Sequence, residues 1–428
     1  MTGEVGVLTI LQYTAVGIGF VTSIVAARLL GPGRYGVVAL LIAYPNLVWS
    51  FASAKSMSVS MRYIAGFRAN GQDAELRAIC KLGYLLDALS ALGALILVVA
   101  FGAWVTGAIL HLYGMAWLAA GYAASLPFLS LTGTSWAILS SVRRFGLLGR
   151  LQIFQSLLTF ALVLVALLAK LGVMGMVLAT SAGNVIAGLV MTWAASRVLQ
   201  RSGAGLWWKG SIRDVASARK EMSSFFGWNY LSVTLSGVLS QAPLLILGRF
   251  RGPAEAGYYR IASNIATAGA AFEGSVARVT YPILSARWAE GERETLKATL
   301  KRWRLRGGIP LGLLLLSSIP LLPIAVPLAF GDAYKPMVLG AQLMMAGAAV
   351  SIIFFYLAPA YYAAGRFGFW AKTYGVQVIL VVAVALAVVR PWGFSGVAGV
   401  VGLGNALFNA VMACLFAVTW EKRVAESV

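Results

Sequence analysis

The chain is a succession of long apolar windows separated by short polar stretches. The windows fall near 7–30, 36–58, 84–106, 114–139, 151–170, 172–195, 225–247, 257–283, 308–330, 337–362, 371–389 and 394–419. A helix needs about 20 apolar residues to cross a bilayer, and each window comes close to or exceeds that length. The pattern predicts an all-α polytopic membrane protein with twelve spans. Window 7–30 is too long for the apolar core of a cleaved leader and has no Lys/Arg stretch before it, so it reads as a retained first helix. The two longest polar stretches are 196–224 and 286–306. The first predicts a linker, dividing the chain into six-helix lobes at 1–195 and 225–428, with Trp207-Trp208-Lys209 as an interfacial anchor. The second alternates Leu296, Leu300 and Leu305 with Lys297, Lys301, Arg302 and Arg304, and predicts a basic amphipathic helix lying on the inner leaflet.

Composition agrees. Of 428 residues, 60% are hydrophobic and 11% charged, and the mean hydropathy is +0.83. No stretch is long and polar enough for a separate soluble enzyme domain. The net charge of +20 would ordinarily raise nucleic acid as a partner. With the N-terminus placed inside, however, about 25 basic residues fall on the inner side and about 8 on the outer. Topology accounts for the charge, with both termini cytoplasmic and no nucleic acid needed. Cys80 and Cys414 stand in no paired or metal-binding spacing, and His111 is the single histidine, so neither a disulfide, a metal site, a cofactor nor nucleophile chemistry is indicated.

A-R-L-L-G-P-G-R-Y-G at 27–36 corresponds to G-R-F-R-G-P-A-E-A-G at 248–257, pairing Arg28 with Arg249, Gly31 with Gly252, Pro32 with Pro253 and Gly36 with Gly257. Both copies follow the first helix of their half. Six helices per half give the copies one orientation, the parallel-repeat plan of transporters with a site between lobes. The glycines at 393, 396 and 399 lie in an apolar window with no Lys-Ser after them, which points to helix packing and not to a phosphate loop.

These segments, with L-A-F-G-D-A-Y-K-P at 328–336 and A-A-G-R-F at 363–367, resemble the polysaccharide and O-antigen flippases, the Wzx-like branch of the multidrug/oligosaccharidyl-lipid/polysaccharide exporter superfamily. The resemblance implies two six-helix lobes around a central cavity and alternating access. The implied cargo is a polyprenyl-diphosphate-linked saccharide carried from the cytoplasmic to the outer leaflet of the inner membrane. It transfers no catalytic motif.

Ionisable groups at membrane depth are costly and mark candidate sites. Arg260 and Arg278, with Asn264 one turn after Arg260, share a helix face. They either line a cavity that takes a diphosphate or snorkel to opposite headgroup layers, with Glu273 pairing to Arg278. Lys55 either lines the cavity or snorkels. Asp87 either complements a helix N-terminus or, like Glu273, takes a coupling ion. Asn46, Asn229 and Gln241, with Gln12 and Asn184, either touch sugar or bond between helices. Three rivals remain. A multidrug cation exporter would want an anionic cavity. A membrane-embedded polymerase or glycosyltransferase would want catalytic groups on a large outer loop. A scaffold would bind polysaccharide-assembly proteins through 286–306.

Overall fold

The computed structural model describes residues 2–215, 219–291 and 293–425; the side chains of Asn229, Glu273 and Arg278 lie outside the described residues. Among the described residues the fold is all-α, with twelve helices. The first six are α1 (2–30), α2 (32–69, interrupted at 53–55), α3 (73–109), α4 (116–141), α5 (Phe145–Leu168) and α6 (Gly172–Arg201). The second six are α7 (Arg219–Phe250), α8 (Pro253–Ala289), α9 (293–330), α10 (332–363), α11 (367–392) and α12 (394–425). Their outer faces are apolar: Ile96, Leu314, Ile324 and Ile379 are two-thirds exposed, as side chains facing lipid would be. The chain forms two compact units, 1–241 and 242–428, divided within α7.

The duplication has a backbone signature. At all five junctions of each half at least one residue has a positive φ, and partners lie 220 to 222 residues apart: Gly31 and Gly252, Gly71 and Gly291, His111 and Gly331, Arg143 and Gly365, Gly172 and Gly393; Gly114 and Lys170 are further positive-φ residues at the third and fifth junctions of the first half. The fourth pair precedes the same tripeptide, Arg144-Phe145-Gly146 and Arg366-Phe367-Gly368. A positive-φ residue ends a helix and redirects the chain in one step, so helices can follow one another without a long loop. The fourth and sixth helices of each half also approach closely. A Cβ on Gly188 (α6) would lie 2.2 Å from the Phe128 carbonyl oxygen (α4), and one on Gly347 (α10) would lie 2.3 Å from that of Gly402 (α12). Small residues let helices pack backbone to backbone where lipid provides no hydrophobic drive, so the glycines of 393–404 serve packing and a bend.

Three expectations need correction. Helix α3 begins at Asp73, not near 84, and its straight part of 32 residues is about 48 Å long, well beyond the roughly 30 Å apolar layer. Its first turns bury Leu76, Ile79 and Cys80 in a core with Ala204 and Val215 of the linker. The linker is pinned there: Arg77 Nη1 donates to the Ala204 carbonyl at 2.9 Å, Lys81 Nζ to the Gly210 carbonyl at 3.1 Å, and Trp207 Nε1 to Ser196 Oγ at 2.8 Å. Trp207 packs against the Tyr84 ring, 4.5 Å between centres and tilted by 44°, so Trp208 alone of the pair is exposed, at 47%. The third correction concerns 286–306. Leu296 and Leu300 pack on Leu284, Tyr356 and Tyr361 inside the second unit. The apolar face of 293–303 is spent on protein, while Lys297, Lys301 and Arg302 stay exposed.

A Cβ on Gly210 would lie 2.5 Å from the Arg77 carbonyl carbon and 2.6 Å from the Ala78 nitrogen, both backbone atoms that cannot yield cheaply. In a Cys414→Ser background, Gly210→Val is expected to lift the linker, cost about 1–3 kcal/mol and make Cys80 reactive to maleimide. A Cys80 that stays unreactive would contradict this packing.

Candidate functional site

The polar centre of the first unit forms where α2 is interrupted. Its first segment ends at Ala52 and its second, Ser56–Ala69, begins after Lys55, which is left-handed at φ 49°. A break in a helix frees carbonyls from their i+4 partners, so other groups must take them. Ser53 N–H donates to the Trp49 carbonyl at 2.9 Å. Lys55 Nζ donates to the Ser50 carbonyl at 2.8 Å and lies 5.9 Å from the Tyr230 ring centre, while the Tyr230 hydroxyl donates to the Phe51 carbonyl. A cation at a helix C-terminus is electrostatically favoured. Lys55 thus closes the break that its own backbone makes.

Across the break lies Asp87. It is 4% exposed and stands fourteen residues beyond the start of α3, which removes the first-turn dipole reading. One carboxylate oxygen accepts from the Ser56 hydroxyl and the other from Thr134 Oγ1 of α4 at 2.8 Å. Ser56 opens the second α2 segment, so the carboxylate sits toward the positive end of that segment's dipole. The pocket is tight: a Cβ on Gly83 would come within 2.7 Å of Thr134 Oγ1 and 2.9 Å of Ser60 Oγ. One turn before Asp87, the Tyr84 hydroxyl shares a hydrogen bond with Ser135 at 2.9 Å, and Ser135 donates to Thr192 of α6 at 3.3 Å. Asp87 and the docked linker therefore share Tyr84 as a near neighbour. A buried carboxylate held by neutral hydroxyls can take up a proton or a small cation.

The remaining candidates are dispersed. Asn46 accepts from the Tyr122 hydroxyl at 3.3 Å, and Asn184 donates to Ser125 at 3.5 Å, so both bond between helices. Gln241 donates to Ser240 at 3.0 Å, and its Oε1 is buried with no hydrogen-bond partner among the described residues. Arg260 and Asn264 are half-buried one turn apart on α8 in the second unit. Asn229, Glu273 and Arg278 lie outside the described side chains. A polar chain absent from the sequence reading links Gln377 (α11) to Asn405 (α12) at 2.7 Å, and Asn409 (α12) to Ser351 (α10) at 3.1 Å. Its members carry no charge and no motif to flag them. No group of three or more His, Cys, Asp or Glu able to hold a metal occurs among the described residues.

A family profile described as polysaccharide biosynthesis protein matches residues 2–288. The chain belongs to that family. Within the matched range lie the α2 break, Asp87 and Arg260. The inner membrane protein YghQ of Escherichia coli (strain K12) is 24% identical over 261 residues, 60% of this chain and 72% of that protein. Among solved structures, a multidrug resistance transporter of the MATE family in its inward-facing conformation aligns with TM-score 0.78 at 14% identity, covering 97% of this chain and 96% of that one. The lipid II flippase MurJ, inward closed, aligns with TM-score 0.72 at 13% identity, covering 96% and 87%. At such identities these likenesses are likenesses of fold.

The Asp87 cluster makes an energetic prediction. Thr134→Val removes one of two donors to a buried carboxylate and should cost about 1–3 kcal/mol, while Thr134→Ser should retain most of it. In an Asp87→Asn background the cost of Thr134→Val should shrink, because a bond to a neutral amide is weaker than one to a carboxylate. Equal costs in both backgrounds, read from unfolding in detergent, would show that the hydroxyl does not serve Asp87.

Proposed function

We propose that this member of the polysaccharide biosynthesis family is an inner-membrane flippase for a polyprenyl-diphosphate-linked saccharide, worked by alternating access of its two lobes and coupled to an ion. The observation that supports the reading is the duplicated six-helix unit, repeated junction by junction, in a chain of this family. Two like halves can rock about a site between them. In this reading both termini are cytoplasmic and the sugar-diphosphate head passes between the lobes while the polyprenyl tail stays in lipid. No covalent bond is made or broken.

Asp87 is assigned the coupling ion. Charged, its carboxylate accepts from Ser56 and Thr134 and holds the α2 break and α4 together; a bound proton or cation weakens those bonds and favours a different packing of the same hydroxyls. Arg260, with Asn264, is assigned to the diphosphate or an acidic sugar, since a guanidinium pairs with phosphate through two parallel hydrogen bonds. Arg278, Lys55, Asn46, Asn229, Gln241 and Glu273 remain secondary candidates. Of these, Lys55 and Asn46 already hold structural partners. The second reading, a multidrug cation exporter, is favoured by the same buried Asp87, because a carboxylate can bind an organic cation as well as a proton.

Deleting the gene separates them. The flippase reading expects a lipid-linked saccharide to accumulate in the cytoplasmic leaflet, wild-type protein to clear it, and Asp87→Asn or Arg260→Ala to clear it at least about tenfold more slowly. Unchanged lipid-linked saccharide together with lost resistance to cationic drugs would replace this reading by the exporter.

A further inference from the structure

At one end of the second unit, two guanidinium groups share a single aromatic ring. The Arg249 Cζ lies 5.7 Å and the Arg390 Cζ 5.3 Å from the centre of Phe250. All three residues are exposed, Phe250 at 37%. Both arginines come from the ends of apolar helices, α7 and α11, so they stand at the level where hydrocarbon gives way to headgroups. Trp392, 69% exposed two residues beyond Arg390, is the side chain expected at that boundary.

The corner is held rigidly. Glu255 at the start of α8 receives Arg251 Nε at 2.8 Å on one oxygen and the backbone N–H of Phe394 at 2.6 Å on the other, tying the α7–α8 turn to the α11–α12 bend. That bend is Gly393, at φ 52°, where a Cβ would fall 2.6 Å from Glu255 Oε2 and 3.0 Å from Arg251 Nε. The carboxylate is committed to the scaffold by Arg251 and the Phe394 N–H.

We propose that Arg249, Phe250 and Arg390 form a binding site for a phosphate-bearing lipid headgroup. A guanidinium over a ring is oriented by the cation–π contact, and its five N–H donors lie in one plane and can serve several acceptors. Two such planar donors at one corner suit the oxygens of a phosphate or diphosphate. The first half has only the rudiment of this arrangement. Arg28 and Lys170 occupy the corresponding helix ends, 221 and 220 residues earlier, with Leu29 in place of the ring. There the ring and the second planar cation are both missing. The ligand is either the diphosphate of the proposed cargo, which rests on the flippase reading, or the phosphate of a bulk anionic phospholipid, which does not.

The test uses purified full-length protein in detergent, with binding of geranylgeranyl diphosphate and of phosphatidylglycerol read by native mass spectrometry. Wild type is expected to retain at least one of the two. Arg249→Ala/Arg390→Ala should weaken that binding about tenfold or more. Arg249→Lys/Arg390→Lys should weaken it too, because the planar fork is lost. Arg28→Ala/Lys170→Ala should leave it within about twofold. Loss for the diphosphate alone supports a contact on the cargo's route, and loss for both supports a general phospholipid anchor; either supports the phosphate site. Gel filtration monitors the fold of each variant. The proposal is overturned if wild type binds neither probe, if the Arg249/Arg390 alanine variant binds as wild type does, or if the Arg28/Lys170 variant loses as much.

Discussion

Inside a bilayer every backbone N–H and C=O must find its partner within the protein. This chain meets that demand with helices and then breaks them at a few controlled places. The interruption of α2 is the clearest case: two carbonyls freed by the break, those of Ser50 and Phe51, are taken by Lys55 and Tyr230. The break in turn presents Ser56 to Asp87. Without the capping groups the break would be too costly to keep, and without the break Asp87 would lack one of its two donors. The structural and the chemical roles of this segment are therefore inseparable.

The same demand explains the junctions. A positive-φ residue at each of five turns per half lets the chain reverse within a few residues, leaving little polar backbone to shelter. Where a longer connection was needed, between the halves, it is docked on α3 by two side-chain-to-carbonyl bonds and a half-buried tryptophan. That docking ends on Tyr84, one turn from Asp87, so the linker and the buried carboxylate are anchored on the same stretch of helix.

Much of the fold is legible in the residue pattern because spanning helices advertise themselves. All twelve windows correspond to helices, and the Gly-Pro repeat marks a duplication that the backbone extends to every junction. What escapes the pattern is amphipathic. The first three turns of α3 look polar because their apolar face meets a linker whose burial no local signal announces. Helix 293–303 looks like a membrane-surface helix because sequence periodicity shows that a face is apolar without showing what covers it. The site is legible only in its charges. Asp87 and Lys55 stand out in sequence, but the hydroxyls of Ser56 and Thr134 that hold the carboxylate are ordinary residues, 31 and 47 positions away. The capping role of Lys55 depends on a left-handed backbone that no motif encodes.

The proposed function requires that the two halves share one orientation in the membrane. Single cysteines at repeat-related turns test it directly: Asn70 and Glu290 as one pair, Tyr113 and Ala333 as the other, in a Cys80→Ser/Cys414→Ser background, labelled with a membrane-impermeant maleimide in intact spheroplasts and again after lysis. The account predicts that positions 113 and 333 react in intact spheroplasts and that 70 and 290 react only after lysis. If the members of either pair label from opposite sides, the halves are inverted and the account fails.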